Sequence, residues 1–557
     1  MSGAPVDPSG FPQLSNDRRA LPSASTLSAL SNSDILDAIF VYFDYAPFHG
    51  IEETPNTVAI HIVRNYRHDA TRIKTLAHSA RTCKAFREPA LRVLWRQLHD
   101  VFPLLRLLPS LYQKANVPSG RRYGPNTLDI YHLPDEVPQS ECYRLLQYAP
   151  YVRRLYALSL DIRLSKHAEI TEEGWMSVIR ALGDQPLFPN LQTLYWLLER
   201  PTAEMPQIKA LLSPSIKVLK LSCHVELETE QRPVEIQEAW KPHLQQLIEA
   251  LPERVPELVD LAFYTKDLDA RLVLDPLSLS YPASLRTLAL SSSPQRTRIS
   301  FGPRSLLPLM RFATIQSLRL ALPIADVAID DRMPEIRLDN LTELCIVYHR
   351  GYRCALDAIS SSNLRELKVS DVQCFIPSSF QSTCATWVRS FPQLESINCE
   401  LASVHVGRVA SRWPVSTLFQ PLLALPRMRK VCITFTSWIP IEITDHDLIT
   451  FAQAWPSIEQ LHLAPTAVDL SRLQTGLPSL IALATHCPHL SDLRMVQLVI
   501  REDDIANLPP EPPNPLHALR TVKLNFGMKP ATYRLIRDTI FPNLDQKPDA
   551  RDGLYRD

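Results

Sequence analysis

The run Asp445–Asp447 reads Asp-His-Asp and combines carboxylates with an imidazole, a set that binds zinc or transfers protons. Thr444 precedes the run, and Leu448 and Phe451 begin a helical apolar period just after it. Hydroxyl and carboxylate groups commonly cap the first turn of a helix. We therefore predict that Asp445 caps a helix, that the histidine lies in its first turn, and that the run holds no metal.

Three cysteines fall on predicted strands. Cys399 is expected in the core, where a thiol behaves as a small apolar group. Cys345 and Cys432 fall on the exposed side of the strand alternation, and nothing adjacent in sequence activates their thiols. The 16 histidines show no HExxH-like spacing, and the 13 glycines form neither a GxSxG turn nor a phosphate-binding loop. We therefore expect no catalytic residues, no metal and no cofactor, so the chain is predicted not to be an enzyme.

Charge and hydropathy restrict the partners. Lys plus Arg and Asp plus Glu each number 59, so the net charge is zero. Binding to the phosphates of nucleic acid needs an excess of clustered positive charge, so no nucleic-acid partner is expected. No apolar run is long enough to span a bilayer, and residues 1–20 lack the apolar region of a signal peptide. We expect no membrane partner and a cytoplasmic and/or nuclear location.

A pattern of three apolar residues recurs along the chain, and most copies begin about 30 residues after the previous one. Two variable residues separate the first and second apolar residues, and one separates the second and third. A proline often comes just before it, and a helical period such as Trp175, Val178 and Leu182 precedes several copies. After a first copy at Val152/Leu155, the central residues of the copies are Leu194, Leu219, Leu261, Leu288, Leu318, Leu344, Leu367, Ile397, Val431, Leu461, Leu493 and Val522.

Each repeat is predicted to form one strand and one helix, which bury their apolar faces only when stacked on further copies. The fold class is therefore α/β, a leucine-rich-repeat solenoid with a curved parallel sheet inside and helices outside. Alternation points Leu194 and Trp196 into the core and Thr193 and Tyr195 toward the concave face. Equivalent concave positions carry Lys220, Ala262, Ala289, Arg319, Cys345, Lys368, Asn398, Cys432, His462, Arg494 and Lys523.

Aromatic and arginine side chains dominate the energetics of protein interfaces. From the concave positions we therefore select the aromatic and basic side chains as predicted contacts to a protein substrate. They are Tyr195, Arg319, His462, Arg494 and Lys523.

Three short amphipathic helices are predicted before the repeats, and Ser33 or Asp34 is expected to cap the first of them. A module of this size buries little surface and gains stability by docking. Its three apolar faces are Leu36, Ile39, Phe40 and Phe43; Ile73, Leu76, Ala80 and Cys83; and Leu91, Leu94, Trp95 and Leu98.

The runs Leu30–Phe40 and Ala80–Trp95 resemble an F-box, and the stretch Tyr143–Leu155 resembles the junction that follows it. The chain is similar to the F-box proteins of mushroom-type fungi, in which irregular leucine-rich repeats follow the F-box. It departs from them in two places. Ser31 stands where the family has the proline of a Leu-Pro pair, and residues from about Tyr45 to Thr71 are inserted as a predicted surface loop.

The resemblance implies a substrate-recognition subunit of an SCF-type cullin–RING ubiquitin ligase. Its F-box would dock on the ligase adaptor and so reach the cullin, and its repeats would hold an unidentified protein substrate. The alternative is a repeat scaffold that binds partners outside any ligase. The predicted adaptor contacts are Leu30, Ile35, Leu36, Ile39, Phe40, Cys83, Phe86, Leu91 and Trp95, some of which could instead only hold the three helices together.

The predicted organisation has five parts. It comprises a disordered tail (1–25), an F-box-like domain (26–110), a linker (111–140), the repeat domain with a C-terminal cap (141–545) and a mobile tail (546–557). The cap is expected to be a helix near Ala531–Ile540, because the last repeat of a solenoid must be covered.

Overall fold

The computed structural model divides the chain into two compact units, Met1–Leu98 and His99–Asp557. The first unit therefore ends before the boundary predicted at residue 110. Both predicted tails and residues 45–70 of the insertion lie outside the described residues. The structure describes residues 32–43, 71–118, 127–157, 168–183, 185–198, 201–223, 233–265, 270–281, 283–292, 303–321, 334–347, 358–373, 377–402, 413–435, 441–465, 473–495, 498–500, 502–506, 508, 512–514, 517–524 and 530–544.

The first unit contains the helices α1 (Ser33–Val41), α2 (71–82) and α3 (Lys84–Arg96), followed by the short strand Gln97–Leu98. The cap of α1 is Asn32, whose side chain accepts a 2.9 Å hydrogen bond from the backbone N–H of Asp34. Cys83 has an extended backbone, with φ −155° and ψ 164°, and so separates α2 from α3. The three predicted helices are present in this unit.

A small apolar core holds the first unit together. Phe40 and Phe86 meet edge to face, with ring centroids 5.8 Å apart. On the surface, the Arg92 guanidinium lies 3.1 Å from the Asp37 carboxylate and links α3 to α1. The core comprises Leu36, Phe40, Leu76 and Ala90, with Phe43, Ala80, Phe86, Val93 and Leu94 packed against it.

In the second unit, consecutive strands lie side by side in chain order and pair in parallel. This confirms the predicted leucine-rich-repeat solenoid. The strands are β1 (Arg154–Ala157), β2 (Thr193–Leu198), β3 (Val218–Cys223), β4 (Asp260–Thr265), β5 (Thr287–Ser292), β6 (Ser317–Ala321), β7 (Glu343–Val347), β8 (Glu366–Gln373), β9 (Ser396–Ala402), β10 (Lys430–Phe435), β11 (Gln460–Pro465), β12 (Asp492–Met495) and β13 (Thr521–Leu524).

The central residue of each apolar triplet points into the core. From Leu194 in β2 to Leu493 in β12, every one of them is at most 1% exposed. Burying such a side chain stabilises the fold by about 1.5–3 kcal/mol. The predicted alternation is therefore correct, and its cause is the stacking of one repeat on the next.

Helices connect most of the strands. They are α4 (Phe102–Leu105), α5 (Gln139–Tyr148), α6 (Glu172–Leu182), α7 (Pro201–Leu211), α8 (Pro233–Arg254), α9 (Ala270–Ser280), α10 (Pro377–Ser390), α11 (Val415–Leu418), α12 (Asp445–Ala454), α13 (Leu477–His486), α14 (Glu502–Ala506) and α15 (Pro530–Thr539), with 3₁₀ turns at Ala149–Tyr151, Pro303–Arg311 and Gln420–Ala424. Within the described part of the chain, no helix has the length and apolar character needed to cross a bilayer.

The predicted linker contains regular structure. Tyr112–Pro118 and Thr127–His132 pair as antiparallel strands, and Ala168–Ile170 adds to the second of them in parallel. Further two- to four-residue strands lie away from the main sheet, at Ile336–Arg337 with Ile359–Ser360 and at Trp413–Pro414, Ile441–Thr444 and Leu473–Gln474. The proline and glycine signals of the linker therefore surround a hairpin, whose connecting residues 119–126 lie outside the described residues.

The Asp-His-Asp run begins α12 and His446 lies in its first turn, as predicted. The N-cap is Thr444 and not Asp445, however, and Asp447 has the larger structural role. Its carboxylate accepts hydrogen bonds from the backbone N–H and hydroxyl of Thr444, at 2.8 and 2.7 Å, which completes a capping box. It also accepts from the backbone N–H of Ser416 in α11, at 3.0 Å, and from the Ser416 hydroxyl. Asp445 accepts from the backbone N–H of Gly476 at 2.6 Å, and His446 is exposed.

At the last repeat, α15 corresponds to the predicted cap helix. Ile536 in α15 and Ile540 and Phe541 just after it are buried. The Phe541 ring meets the buried ring of His517 at a centroid distance of 4.9 Å.

Candidate functional site

Thirteen strands in register place equivalent residues in rows across the sheet. One face of the sheet packs into the core, and we call the opposite face the open face. Its third-position row, formed by the third residue of each strand, is Tyr156, Tyr195, Lys220, Ala262, Ala289, Arg319, Cys345, Lys368, Asn398, Cys432, His462, Arg494 and Lys523. All five predicted substrate contacts therefore share one row.

Two more rows flank it. The first-position row consists of the first residue of each strand, including Asp260, Glu366, Lys430, Gln460 and Asp492. The preceding row consists of the residue before each strand, and a backbone N–H donates to the preceding residue of the row at each step. It runs Arg153, Gln192, Lys217, Val259, Arg286, Gln316, Thr342, Arg365, Glu395, Arg429, Glu459, Ser491 and Arg520.

Neighbouring side chains cover the early part of the third-position row. The Tyr156 and Tyr195 ring centroids are 4.9 Å apart, and Lys220 Nζ lies 4.9 Å from the centroid of the Tyr195 ring. Lys220 Nζ also lies 3.6 Å from Asp260 Oδ2. Tyr195 is consequently only 7% exposed. The prediction of Tyr195 as an open binding residue is corrected by this packing, because alternation chooses the face but not what covers it.

Arg319 stands near the middle of the row, between Ala289 and Cys345. Its Nε–H is buried and has no hydrogen-bond partner among the described residues. An unsatisfied buried N–H costs about 1–3 kcal/mol, so an acceptor that reached this nitrogen would bind favourably. Arg319 remains a candidate contact, as predicted.

The late part of the row holds a compact polar cluster. His462 Nε2 lies 2.8 Å from Asp492 Oδ2, and the Arg494 guanidinium lies 3.3 Å from the same oxygen. Burial lowers the pKa of His462 below its usual value, against the opposing effect of Asp492. The imidazole is therefore neutral at pH 7 and donates its Nε2 proton to Asp492. Arg494 is exposed and Lys523 is half-buried beside it.

The same cluster places a thiol, an imidazole and a carboxylate on adjacent strands, because Cys432 is in register with His462. Sequence reasoning missed this juxtaposition, since about 30 residues separate successive members. Burial raises the pKa of the Cys432 thiol, so this thiol is protonated and lacks the activation of a nucleophilic cysteine. No group of three or more metal-ligating side chains occurs among the described residues.

In the preceding row, four consecutive repeats carry alternating charges. Glu395 lies 3.9 Å from Arg365 and 4.0 Å from Arg429. Arg429 Nε donates to Glu459 Oε1 at 2.8 Å. Both carboxylates therefore already form ion pairs with arginines of the same sheet.

In the first unit, the predicted adaptor contacts divide into two groups. Leu36 and Phe40 are in the core and are 1% and 5% exposed, so they stabilise the unit and do not form its surface. Ile35 and Ile39 are 42% and 43% exposed, one helical turn apart on α1. Tyr42, which the prediction omitted, is 91% exposed at the end of the same helix.

The remaining predicted contacts lie in or near α3, except for one. Cys83 is exposed, Phe86 packs partly against the core, and Leu91 and Trp95 are half-buried. Leu30 lies outside the described residues. Half-buried residues can still contribute to a contact. The exposed large apolar residues of the predicted set, Ile35 and Ile39, both lie on α1.

Comparison with known proteins gives limited likenesses. No family model matches the sequence, and no curated protein matches it significantly. One similar solved structure is the complex of Rad7 and Elc1 in yeast, at 18% identity and a TM-score of 0.29, covering 55% of this chain and 82% of that one. Another is the mouse RP105/MD-1 complex, at 11% identity and a TM-score of 0.32, covering 68% of this chain and 59% of that one.

Proposed function

We propose that this chain is the substrate-recognition subunit of an SCF-type cullin–RING ubiquitin ligase. In this proposal α1 docks on the adaptor, and the open face of the repeats binds the substrate protein. The chain itself performs no chemistry; it raises the effective concentration of the substrate and fixes its orientation. The observation that carries the proposal is the apolar surface of α1, formed by Ile35, Ile39 and Tyr42 on a small unit.

That surface is suited to a partner for an energetic reason. The core of the unit contains Leu36 and Phe40, and Ile35 and Ile39 do not belong to it. Burying the exposed parts of both isoleucines contributes about 2 kcal/mol to binding. This corresponds to about thirtyfold in Kd, and a buried unpaired carboxylate in their place would add a further penalty.

The test is co-purification of the full chain with the ligase adaptor. Wild type should retain the adaptor, and Ile35→Asp with Ile39→Asp should lose it while remaining folded. Ala38→Asp is the control for an added carboxylate, because Ala38 is exposed on the same helix; it adds one negative charge where the double variant adds two. Substitution of Leu36 or Phe40 would not discriminate, since those residues form the core. Wild-type protein that retains no adaptor contradicts the proposal.

The second candidate is a repeat scaffold that acts outside any ligase. It is favoured by the use of two predicted adaptor contacts, Leu36 and Phe40, as core residues. The open face would bind partners in the same way in either case. Failure of wild type to bind the adaptor, together with retention of a protein partner by the repeats, would favour the scaffold.

A further inference from the structure

The charge of the open face is not uniform along the sheet. Over β10–β13, the described residues of the three rows carry five Lys or Arg side chains and two carboxylates. Over β4–β7 the same rows carry two of each, and over β1–β3 they carry four Lys or Arg side chains and no carboxylate. Among the early cations, Lys220 pairs with Asp260. The zero net charge of the whole chain therefore conceals local positive excesses at the early and the late repeats.

Ion pairs within the sheet use two of the five cations of β10–β13 and leave the net excess unchanged. The Glu459 carboxylate pairs with Arg429. The Asp492 carboxylate accepts a hydrogen bond from His462 and pairs with Arg494. Each of the two carboxylates of the region is thus paired with one arginine. Lys430 and Arg520 are exposed and form no ion pair within the described ranges of the chain.

We propose that a basic strip, defined by Lys430, Arg494, Arg520 and Lys523, binds an extended acidic peptide segment of a partner protein through its Asp or Glu side chains. The inference rests on the proposal that the open face receives a protein substrate. It does not depend on whether α1 binds an adaptor. Charge complementarity selects the occupant, since a carboxylate gains charge-assisted hydrogen bonds from these side chains.

The geometry of the sheet sets the spacing of the acidic residues. Lys430 is on β10 and Arg520 directly precedes β13, three strand intervals away. Parallel strands lie about 4.8 Å apart, so the two positions are separated by about 14 Å. An extended chain advances about 3.3 Å per residue, and alternate side chains share a face. Acidic residues at positions i and i+4 therefore match both ends of the strip.

The experiment measures fluorescence polarisation of labelled peptides with the full-length protein. The probe is a peptide of about nine residues with Asp at i and i+4 in a Thr- and Val-rich background, which favours an extended chain. Control peptides carry Asn at both positions, or Asp at i and i+1, whose side chains point to opposite faces. We expect binding of the i, i+4 Asp peptide, weaker binding of the adjacent pair and none of the Asn peptide.

The matched variants are Lys430→Glu with Arg520→Glu, and Lys217→Glu with Arg286→Glu. Lys217 and Arg286 are exposed in the preceding row beside β3 and β5, so the second pair makes the same charge change elsewhere on the face. The first pair of substitutions should weaken binding of the Asp peptide by about tenfold or more, and the second pair should weaken it by less than about twofold. Lys430→Gln with Arg520→Gln provides the same test if the reversed pair unfolds.

Several outcomes would overturn the proposal. They are equal binding of the Asn peptide, an equal loss in the Lys217/Arg286 variant, binding only when phosphoserine replaces Asp, and tighter binding of a single-stranded oligonucleotide. Adaptor co-purification on the same preparations keeps the two proposals separate. Loss of peptide binding with the adaptor retained rejects the acidic segment alone, whereas loss of the adaptor alone rejects only the ligase assignment.

Discussion

Asp447 allows a sharp test of how adjacent repeats are joined. Replacing it with Ala removes four hydrogen bonds and leaves the backbone N–H and hydroxyl of Ser416 without their acceptor in a buried site. Loss of a helix cap costs about 1 kcal/mol, and an unsatisfied buried polar group costs about 1–3 kcal/mol. The expected loss is therefore about 2–4 kcal/mol in the free energy of unfolding.

The assay is urea unfolding of the full chain, followed by far-ultraviolet circular dichroism. His446→Ala is the control, because His446 is exposed within the same run; it should change the stability by less than about 0.5 kcal/mol. The stability of wild type should not respond to a chelator, since both carboxylate oxygens of Asp447 accept hydrogen bonds from Thr444 and Ser416. Asp447→Ala that matches wild type, or His446→Ala that loses as much as Asp447→Ala, would refute the reasoning.

Three further predictions follow from the core and from burial. Leu461→Ala should destabilise the repeats by about 2–5 kcal/mol in urea unfolding, because it leaves a cavity between stacked strands; a change below about 1 kcal/mol would contradict the packing. Burial lowers the pKa of His462 and His517, so the folded state disfavours their protonation. The free energy of unfolding should therefore be highest above pH of about 6.5 and fall at lower pH. The urea midpoint should be lower at pH of about 5.5 than at pH of about 7.5, and a higher midpoint at the lower pH would contradict this. Iodoacetamide should label the exposed Cys83 in native protein much faster than Cys487, whose pKa burial raises to about 12, and mass spectrometry showing similar rates would contradict this burial.

Much of the repeat fold was predictable because its signal is repeated. Each of the predicted triplet centres, such as Leu219 or Leu461, lies on a strand in parallel register with its neighbours. Alternation then fixed which residues share the open face. The burial of Tyr195 could not be predicted, because it depends on Tyr156 and Lys220 from adjacent strands far away in sequence.

The N-terminal unit shows a different limit. The apolar residues of α1 cover a wide arc of the helix, and periodicity alone did not separate Leu36 and Phe40 from Ile35 and Ile39. The hairpin in the predicted linker was missed because Gly and Pro mark a turn as readily as an unstructured connection. The Cys432, His462 and Asp492 cluster was also missed, since only the register of three strands brings these residues together.

The central claim is that α1 presents a docking surface for a ligase adaptor. Hydrogen–deuterium exchange of the full chain, with and without the adaptor, tests it most directly because it locates the contact. We expect slower exchange in peptides covering residues 32–43 and unchanged exchange in β10–β13. Unchanged exchange throughout, or protection confined to the repeats, would contradict it.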